Sequence, residues 1–293
     1  MPSLTAFYGK IPSQPDFVRI NAGAFQQAGW DAWFQEGMAD LQRRGLPPAS
    51  APLCFVLPAG RGRICAGALA PSRDALARSF PAILSLEAPA PALGALASWR
   101  RQQEPFFDEA RRLVQQASHL TLPELATRVL EVGMPDLGCP TQPEALADAT
   151  LAELTQRGDL ADLAYAMTTA IAACAEARAP RLTTRPLTLY GQASSEIQRA
   201  FWIELIERHL DQTPSLFWTE ENFAITLGHP HPAVLACLAD PDRPGPCCWP
   251  LRTPHQSARA AAIAKLSPAQ AHVLGLPGAS LLHVLSVFSR KAP

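Results

Sequence analysis

The sequence predicts an α+β protein. One amphipathic helix and three antiparallel strands form a first domain, and a helical connector leads to a second, smaller α/β domain whose element order echoes the first. Three observations predict this. Between Ala24 and Arg44 the apolar residues Phe25, Trp30, Trp33, Phe34, Met38 and Leu41 recur at spacings of three, four and seven, which is one helix face. Continuous apolar runs of strand length follow it, broken by glycine and proline. Beyond residue 138 an Ala- and Leu-rich helical stretch precedes another strand–helix–strand–strand series. The boundaries are 1–137, 138–183 and 184–293, consistent with two domains in 293 residues.

In order along the chain, Ser3 to Tyr8 is a short β-prone segment ending at Gly9, and Pro12 to Asp16 is rich in turn formers. The helix from Ala24 to Arg44 is stopped by Gly45 and by Pro47-Pro48. Leu53 to Leu57 and Ile64 to Ala70 read as a hairpin joined through Pro58-Ala59-Gly60-Arg61-Gly62, and Phe80 to Leu86 as a third strand. Leu93 to His119 has a helical period that Pro105 interrupts. Leu122 to Val132 is a further helix with Thr121 at its N-cap and Pro123 just inside.

Gly133 to Pro143 holds two glycines and three prolines and reads as the linker. Glu144 to Ala177 is helical, with an interruption at Gly158. In the last part Leu187-Thr188-Leu189-Tyr190-Gly191-Gln192 echoes Ala6-Phe7-Tyr8-Gly9-Lys10, and Gln198 to Trp202 echoes Gln26 to Trp30. Leu216 to Thr219 and Phe223 to Leu227 then form a strand pair around Glu220-Glu221-Asn222. Duplication and chance explain so short an echo equally well.

Composition excludes several classes. Hydrophobic residues make up 48% and charged residues 17%, which argues against disorder. With 25 basic and 26 acidic residues, and near-neutrality on both sides of residue 138, no basic domain offers a nucleic-acid footprint. No apolar run reaches the ~18 residues of a spanning helix, and Met1-Pro2-Ser3-Leu4 opens no export signal. The expected compartment is the cytoplasm. The seven cysteines are scattered, and Cys54, Cys65, Cys174 and Cys237 sit in apolar stretches where a thiol packs as a small hydrophobe. Cys247-Cys248 are vicinal and His229-Pro230-His231 is a proline-flanked pair, neither spaced as a zinc site, so no metal or cofactor is expected.

Three local patterns stand in order in the first domain. They are Tyr8-Gly9-Lys10 with Pro12 and Asp16-Phe17-Val18; Trp30-Asp31 with Trp33, Gln35 and Gly37; and Pro71-Ser72 with Asp74, Arg78 and Phe80-Pro81. Together they resemble the N-terminal domain of the TagF (ImpM) family of type VI secretion-associated proteins, over roughly residues 5–135. Departures are Gln14-Pro15 where the family has Arg-Gly, Phe34 where Leu is usual, and Ala77 where Gly is usual. The resemblance implies a longin-like α/β/α sandwich. It also implies a post-translational repressor of secretion that binds the forkhead-associated scaffold protein of the threonine-phosphorylation pathway. The metal motifs of a fused PPM-type phosphatase are missing from the sequence.

Read residue by residue, the same patterns leave structural and partner-binding roles open, and the regulatory expectation is what the resemblance implies. Lys10 follows a single glycine and precedes Ile11-Pro12, which is no phosphate loop, so a salt bridge or partner contact is expected. Asp16 can cap a turn or meet a partner. Trp30 and Trp33 are core or, for one of them, an interface anchor; Asp31 lies on the solvated side. Ser72, Asp74 and Arg78 form either an internally salt-bridged loop or a partner-binding loop, with no histidine nearby to activate the serine. Lys10, Asp16, Trp30, Asp31, Trp33, Ser72, Asp74 and Arg78 are therefore the candidate partner-binding residues. Two other classes remain open: a hydrolase-type enzyme assembled from both halves, and a structural adaptor of the secretion baseplate or membrane complex.

Overall fold

The computed structural model describes residues 4–47, 51–133, 146–154, 160–178 and 186–289. The linker expected at 133–143, apart from Gly133, lies outside them, as do Cys139 and the interruption at Gly158. Among the described residues, nine strands form one sheet and twelve α-helices cover its two faces. The first-domain strands are β1 (Thr5–Gly9), β2 (Val18–Ile20), β3 (Leu53–Gly60), β4 (Arg63–Ala70) and β5 (Ala82–Pro89). The later ones are β6 (Leu187–Gln192), β7 (Ser215–Trp218), β8 (Asn222–Leu227) and β9 (Cys248–Pro250). Their spatial order is β2-β1-β5-β4-β3-β7-β8-β6-β9, and every pairing is antiparallel except β6 with β9. The sheet is continuous across both predicted domains, joined by β3 on β7 through Cys54↔Trp218, Phe55↔Phe217 and Val56↔Leu216. Both outer strands are three residues long, which leaves little open edge for unwanted pairing.

One face packs against α1 (Gly23–Gln27), α2 (Trp30–Arg43) and α9 (Val234–Ala239). The opposite face carries α3 (Leu96–Gln102), α4 (Glu104–Gln116), α5 (Leu122–Glu131), α6 (Leu151–Leu154), α7 (Leu160–Arg178), α8 (Glu196–Glu207), α11 (Pro268–Leu274) and α12 (Leu281–Phe288). Helix α10 (Gln256–Ala264) packs on α7. Strand alternation sorts the side chains between the two cores: Phe7, Cys54, Val56 and Leu84 on the large one, Tyr8, Phe55, Leu57 and Ile83 on the other.

Several expectations need correction. The helix predicted over 24–44 is two helices, because Gly29 takes a left-handed φ of 76° and ends one before starting the next. Its far end is as predicted: Gly45 is left-handed, its N–H bonds Gln42 O and that of Leu46 bonds Leu41 O, a Schellman close with Leu41 and Leu46 both buried. The third strand starts at Ala82, since Phe80 still belongs to the preceding loop, bonded to Ser72 O. The break near Pro105 falls at Gln103, which leaves the proline in the first turn of α4, where its missing N–H costs nothing. Thr121 and Glu124 form the capping box of α5. The internal echo ends at the strands: Tyr8 and Tyr190 share one face, but the helices of Trp30 and Trp202 lie on opposite faces. Cys54, Cys65 and Cys174 are buried free thiols, pushed up to about 12 by burial. Cys237 is not a free thiol, because the fold brings α9 against β9 and pairs it with Cys248 in a disulfide.

Two buried charged side chains also tie the halves together on the large-core face. Arg100 of α3, 1% exposed, pairs with Glu104 at 2.9 Å and with Glu196 of α8, and stacks 5.2 Å over Trp218. Glu207, at the end of α8, accepts the N–H groups of Gly94 (3.2 Å) and Leu96 (3.0 Å) and so caps the start of α3. Burial, with Glu204 beside it, pushes the Glu207 carboxyl up to about 8 against the pull of the Gly94, Leu96 and Ala97 amides.

Two outcomes follow from this packing. A Cβ at Gly67 would sit 2.0 Å from Leu84 O and 2.9 Å from Ser85 Cα, backbone atoms that cannot yield. Gly67→Ala should therefore cost about 3 kcal/mol or more in urea unfolding, at the upper end of overpacking penalties. Between the unfolded value of 4.5 and about 8, Glu207 is ionised only in the unfolded chain. Stability therefore falls as pH rises through that window. Glu207→Gln should remove this component, so the variant's melting temperature gains on wild type between pH 5 and pH 8.

Candidate functional site

The three sequence patterns meet at one corner of the first domain. Tyr8 of β1 stacks on Phe17 at 5.2 Å, and Phe80 meets Tyr8 edge-on at 5.8 Å and Phe17 at 4.8 Å. Gln35 of α2 donates to Tyr8 Oη at 3.2 Å, which links the second pattern to the first. Burial raises the Tyr8 hydroxyl above its ordinary value. Gly9 is required twice over: its φ is 151°, and a Cβ there would lie 2.2 Å from Pro81 O. Gly37 lets α2 approach α9, where a Cβ would press 2.6 Å from Leu235 Cδ1 and 3.2 Å from Pro232 O.

Asp74 is the centre of this corner. Its carboxylate is wholly shielded, with Oδ2 3.1 Å from Lys10 Nζ and 2.7 Å from Arg78 Nε. Oδ1 accepts the N–H groups of Leu76 (3.0 Å) and Arg78 (2.8 Å). Burial works against the charge, but the Arg78 amide, Lys10 and the Arg78 guanidinium outweigh it and hold the carboxyl down at about 2. Arg78 also donates to Pro15 O, and Ala75 N to Gln14 O at 2.8 Å, so loop 71–79 is fastened to the loop after β1. Lys10, 6% exposed, lies 5.1 Å over the Phe17 ring. Ala77 has a φ of 60°, the left-handed geometry that favours glycine.

Of the eight candidates, Lys10, Asp74 and Arg78 come together, with Asp16 and Ser72 in the two loops they join. Asp16 is exposed and accepts the Phe17 N–H at 2.8 Å, capping its turn. Ser72 Oγ is shielded and has no hydrogen-bond partner among the described residues. Trp30, Asp31 and Trp33 stand apart at the start of α2. Both tryptophans are buried, beneath residues of the second half: Trp30 stacks 5.2 Å from His229, Trp33 lies 5.7 Å from Phe217, and Trp33 Nε1 donates to Pro230 O at 2.6 Å. Asp31 is half-buried and accepts from Gln26 at 3.3 Å.

The Asp74 clamp presents what sequence reading missed. Leu76 stands at the tip of loop 71–79, 65% exposed, between the exposed residues Arg73 and Arg78. A leucine inside a polar loop was the available signal. Arg19, 5.9 Å from the Phe17 ring, adds a further cation nearby. Elsewhere, a cleft of about 510 Å³ opens between α1 and the sheet, lined by Ala6, Ala22, Phe25, Cys65, Ser85 and Glu87. Among the described residues no group of three or more His, Cys, Asp or Glu side chains is placed to hold a metal, and no helix is long and apolar enough to cross a membrane.

Comparison with known proteins matches residues 6–132 to the TagF N-terminal domain, type VI secretion system-associated. The chain is also similar to a solved structure, the 2.05 Å crystal structure of PA0076 from Pseudomonas aeruginosa PAO1. Identity is 19% over 80% of this chain and 93% of that one, with a TM-score of 0.47. No curated protein matches.

The clamp has a pH signature. A carboxyl held near 2 in the fold and near 3.8 unfolded adds stability above 3.8 that is lost as pH falls toward 2. Lys10→Met should lower the melting temperature at pH 7 and move the acid limb of the stability curve to higher pH. Thermal melts between pH 2 and 7, run beside Asp74→Asn, check it: no acid-limb difference between wild type and Asp74→Asn would contradict the clamp.

Proposed function

We propose that this chain, whose residues 6–132 match the TagF N-terminal domain of type VI secretion-associated proteins, represses type VI secretion after translation by binding the forkhead-associated scaffold protein. In this reading it acts in the cytoplasm and without catalysis of its own. The observation that carries it is loop 71–79. The shielded Asp74 fixes this loop from both sides, and the loop holds an exposed leucine between two arginines. An exposed apolar residue on a loop whose backbone is already fixed is the form of an interface anchor, because less conformational entropy is left to lose on binding.

The chemistry of the other polar residues supports the same reading. The Asp74 oxygens are taken up by two cations and two amides, so the carboxylate is poorly suited to serve as a general base. Repression requires the chain to favour one state of its partner by several kcal/mol, on the order of 5 for a near-complete shift. An interface of about 1,000 Å² around one anchor can supply that.

Binding of the purified full-length chain to the purified scaffold protein of the same secretion system, by calorimetry, tests the proposal. Leu76→Asp and Arg73→Glu should each weaken binding at least tenfold and restore secretion in cells overproducing the chain. Wild-type chain that neither binds the scaffold nor lowers secretion on overproduction would overturn the reading.

A further inference from the structure

The geometry points to a thiol–disulfide exchange site at Cys237 and Cys248 that fastens or releases the strap of residues 240–251, with a low-molecular-weight thiol and its disulfide as co-reactants. Cys237 lies in α9 and is buried, while Cys248 is half-buried at the start of β9, the outermost strand of the sheet. Cys247, next to it, is exposed and unbonded, with a φ of 64°. Three cysteines thus meet at one edge of the molecule, while Cys54, Cys65 and Cys174 are buried elsewhere.

The strap is anchored at its ends, by Gly245 buried against Ala233 and by Leu251 in the large core, and the disulfide is the covalent tie of the β9 segment between them. Strand β9 is three residues long and, among the described residues, pairs with β6 alone. Leu251 N donates to Tyr190 O (2.9 Å), Thr188 N to Cys247 O (2.8 Å), and Tyr190 Oη to Pro241 O (3.0 Å). Toward the first domain, Arg243 donates to Arg44 O and Arg44 to Pro244 O, both at 3.4 Å. Trp249, 52% exposed, adds a bond from Nε1 to Tyr165 Oη at 3.3 Å. A three-residue strand with one neighbour in the sheet opens locally at lower free-energy cost once its covalent tie is cut. Its departure uncovers the backbone groups of β6 as a new sheet edge.

The exchange balances without any further reagent. A small thiolate attacks Sγ of Cys248, the sulfur nearer solvent; a mixed disulfide forms, the Cys237–Cys248 bond breaks, and Cys237 leaves as a thiolate. The Gly245 N–H, 3.3 Å from Cys237 Sγ, is already placed to stabilise that leaving group. A second small thiolate attacks the mixed disulfide at the small molecule's sulfur. It releases Cys248 as a thiolate and the oxidised small disulfide, and both cysteine thiolates take protons from water. Two electrons pass from two small thiols to the protein disulfide, and the small disulfide drives the reverse.

The test uses the full-length chain equilibrated in glutathione buffers of graded thiol-to-disulfide ratio, with thiols trapped by alkylation and read by peptide mass. A parallel set is read by amide hydrogen exchange. Expected are a reversible two-electron transition in the peptides of Cys237 and Cys248, and at least tenfold faster exchange across 244–251 and β6 in the reduced form, with β1, β4 and β5 unchanged. Cys247→Ser should keep the transition. Cysteines that stay alkylatable at every ratio, equal exchange in both forms, or loss of the transition in Cys247→Ser would each overturn the proposal.

Discussion

Three residue pairs between β3 and β7 make one sheet of what the sequence divides in two. Most long-range features of the molecule depend on that junction. Phe217 enters the core beside Phe55 and stacks under Trp33, so the second half finishes the packing of α2. On the other face Trp218 meets Phe107 at 4.7 Å and lies beneath Arg100, whose partner Glu196 belongs to α8. Burying a guanidinium this deeply is tolerable only because carboxylates and an aromatic face come with it. Those groups arrive from both sides of the junction.

The local grammar of the chain was legible. Periodicity located α2, the hairpin of β3 and β4, and the strands β6, β7 and β8; Gly45 and Thr121 marked a helix end and a helix start through backbone groups they themselves satisfy. What escaped is non-local. Gly29 lies inside an unbroken apolar period, so only its backbone angle reveals two helices. Cys237 reads as an apolar core thiol because its partner stands eleven residues away, across a turn that only the fold closes. The echo between Tyr8 and Tyr190 is equally local, and nothing in either segment records which face its following helix covers.

The candidate site shows the same division. Lys10, Asp74 and Arg78 were identifiable by type and spacing, and an internal ion-paired loop was one of two readings available for them. Their geometry makes them a support rather than a surface: the carboxylate has no free oxygen, and Lys10 is closed over by Phe17. Gly9 and Gly37 belong to the patterns for a reason of space, one against Pro81 and one against α9. Sequence patterns of this kind register how a corner is built, and the side chain the corner displays need not be part of them. Leu76 is that case.

The cap of α3 carries a consequence for how the chain is made. Its N–H groups wait for Glu207, a residue 111 positions further on, and the outer edge of β3 waits for residues 216 to 218. While the ribosome has delivered only the first domain, that domain emerges with a bare hydrogen-bonding edge and a helix start lacking its acceptor. At 5–20 residues per second the interval lasts roughly 5–20 s. During it the nascent chain is a substrate for holding chaperones and for pairing with its neighbours on the same message.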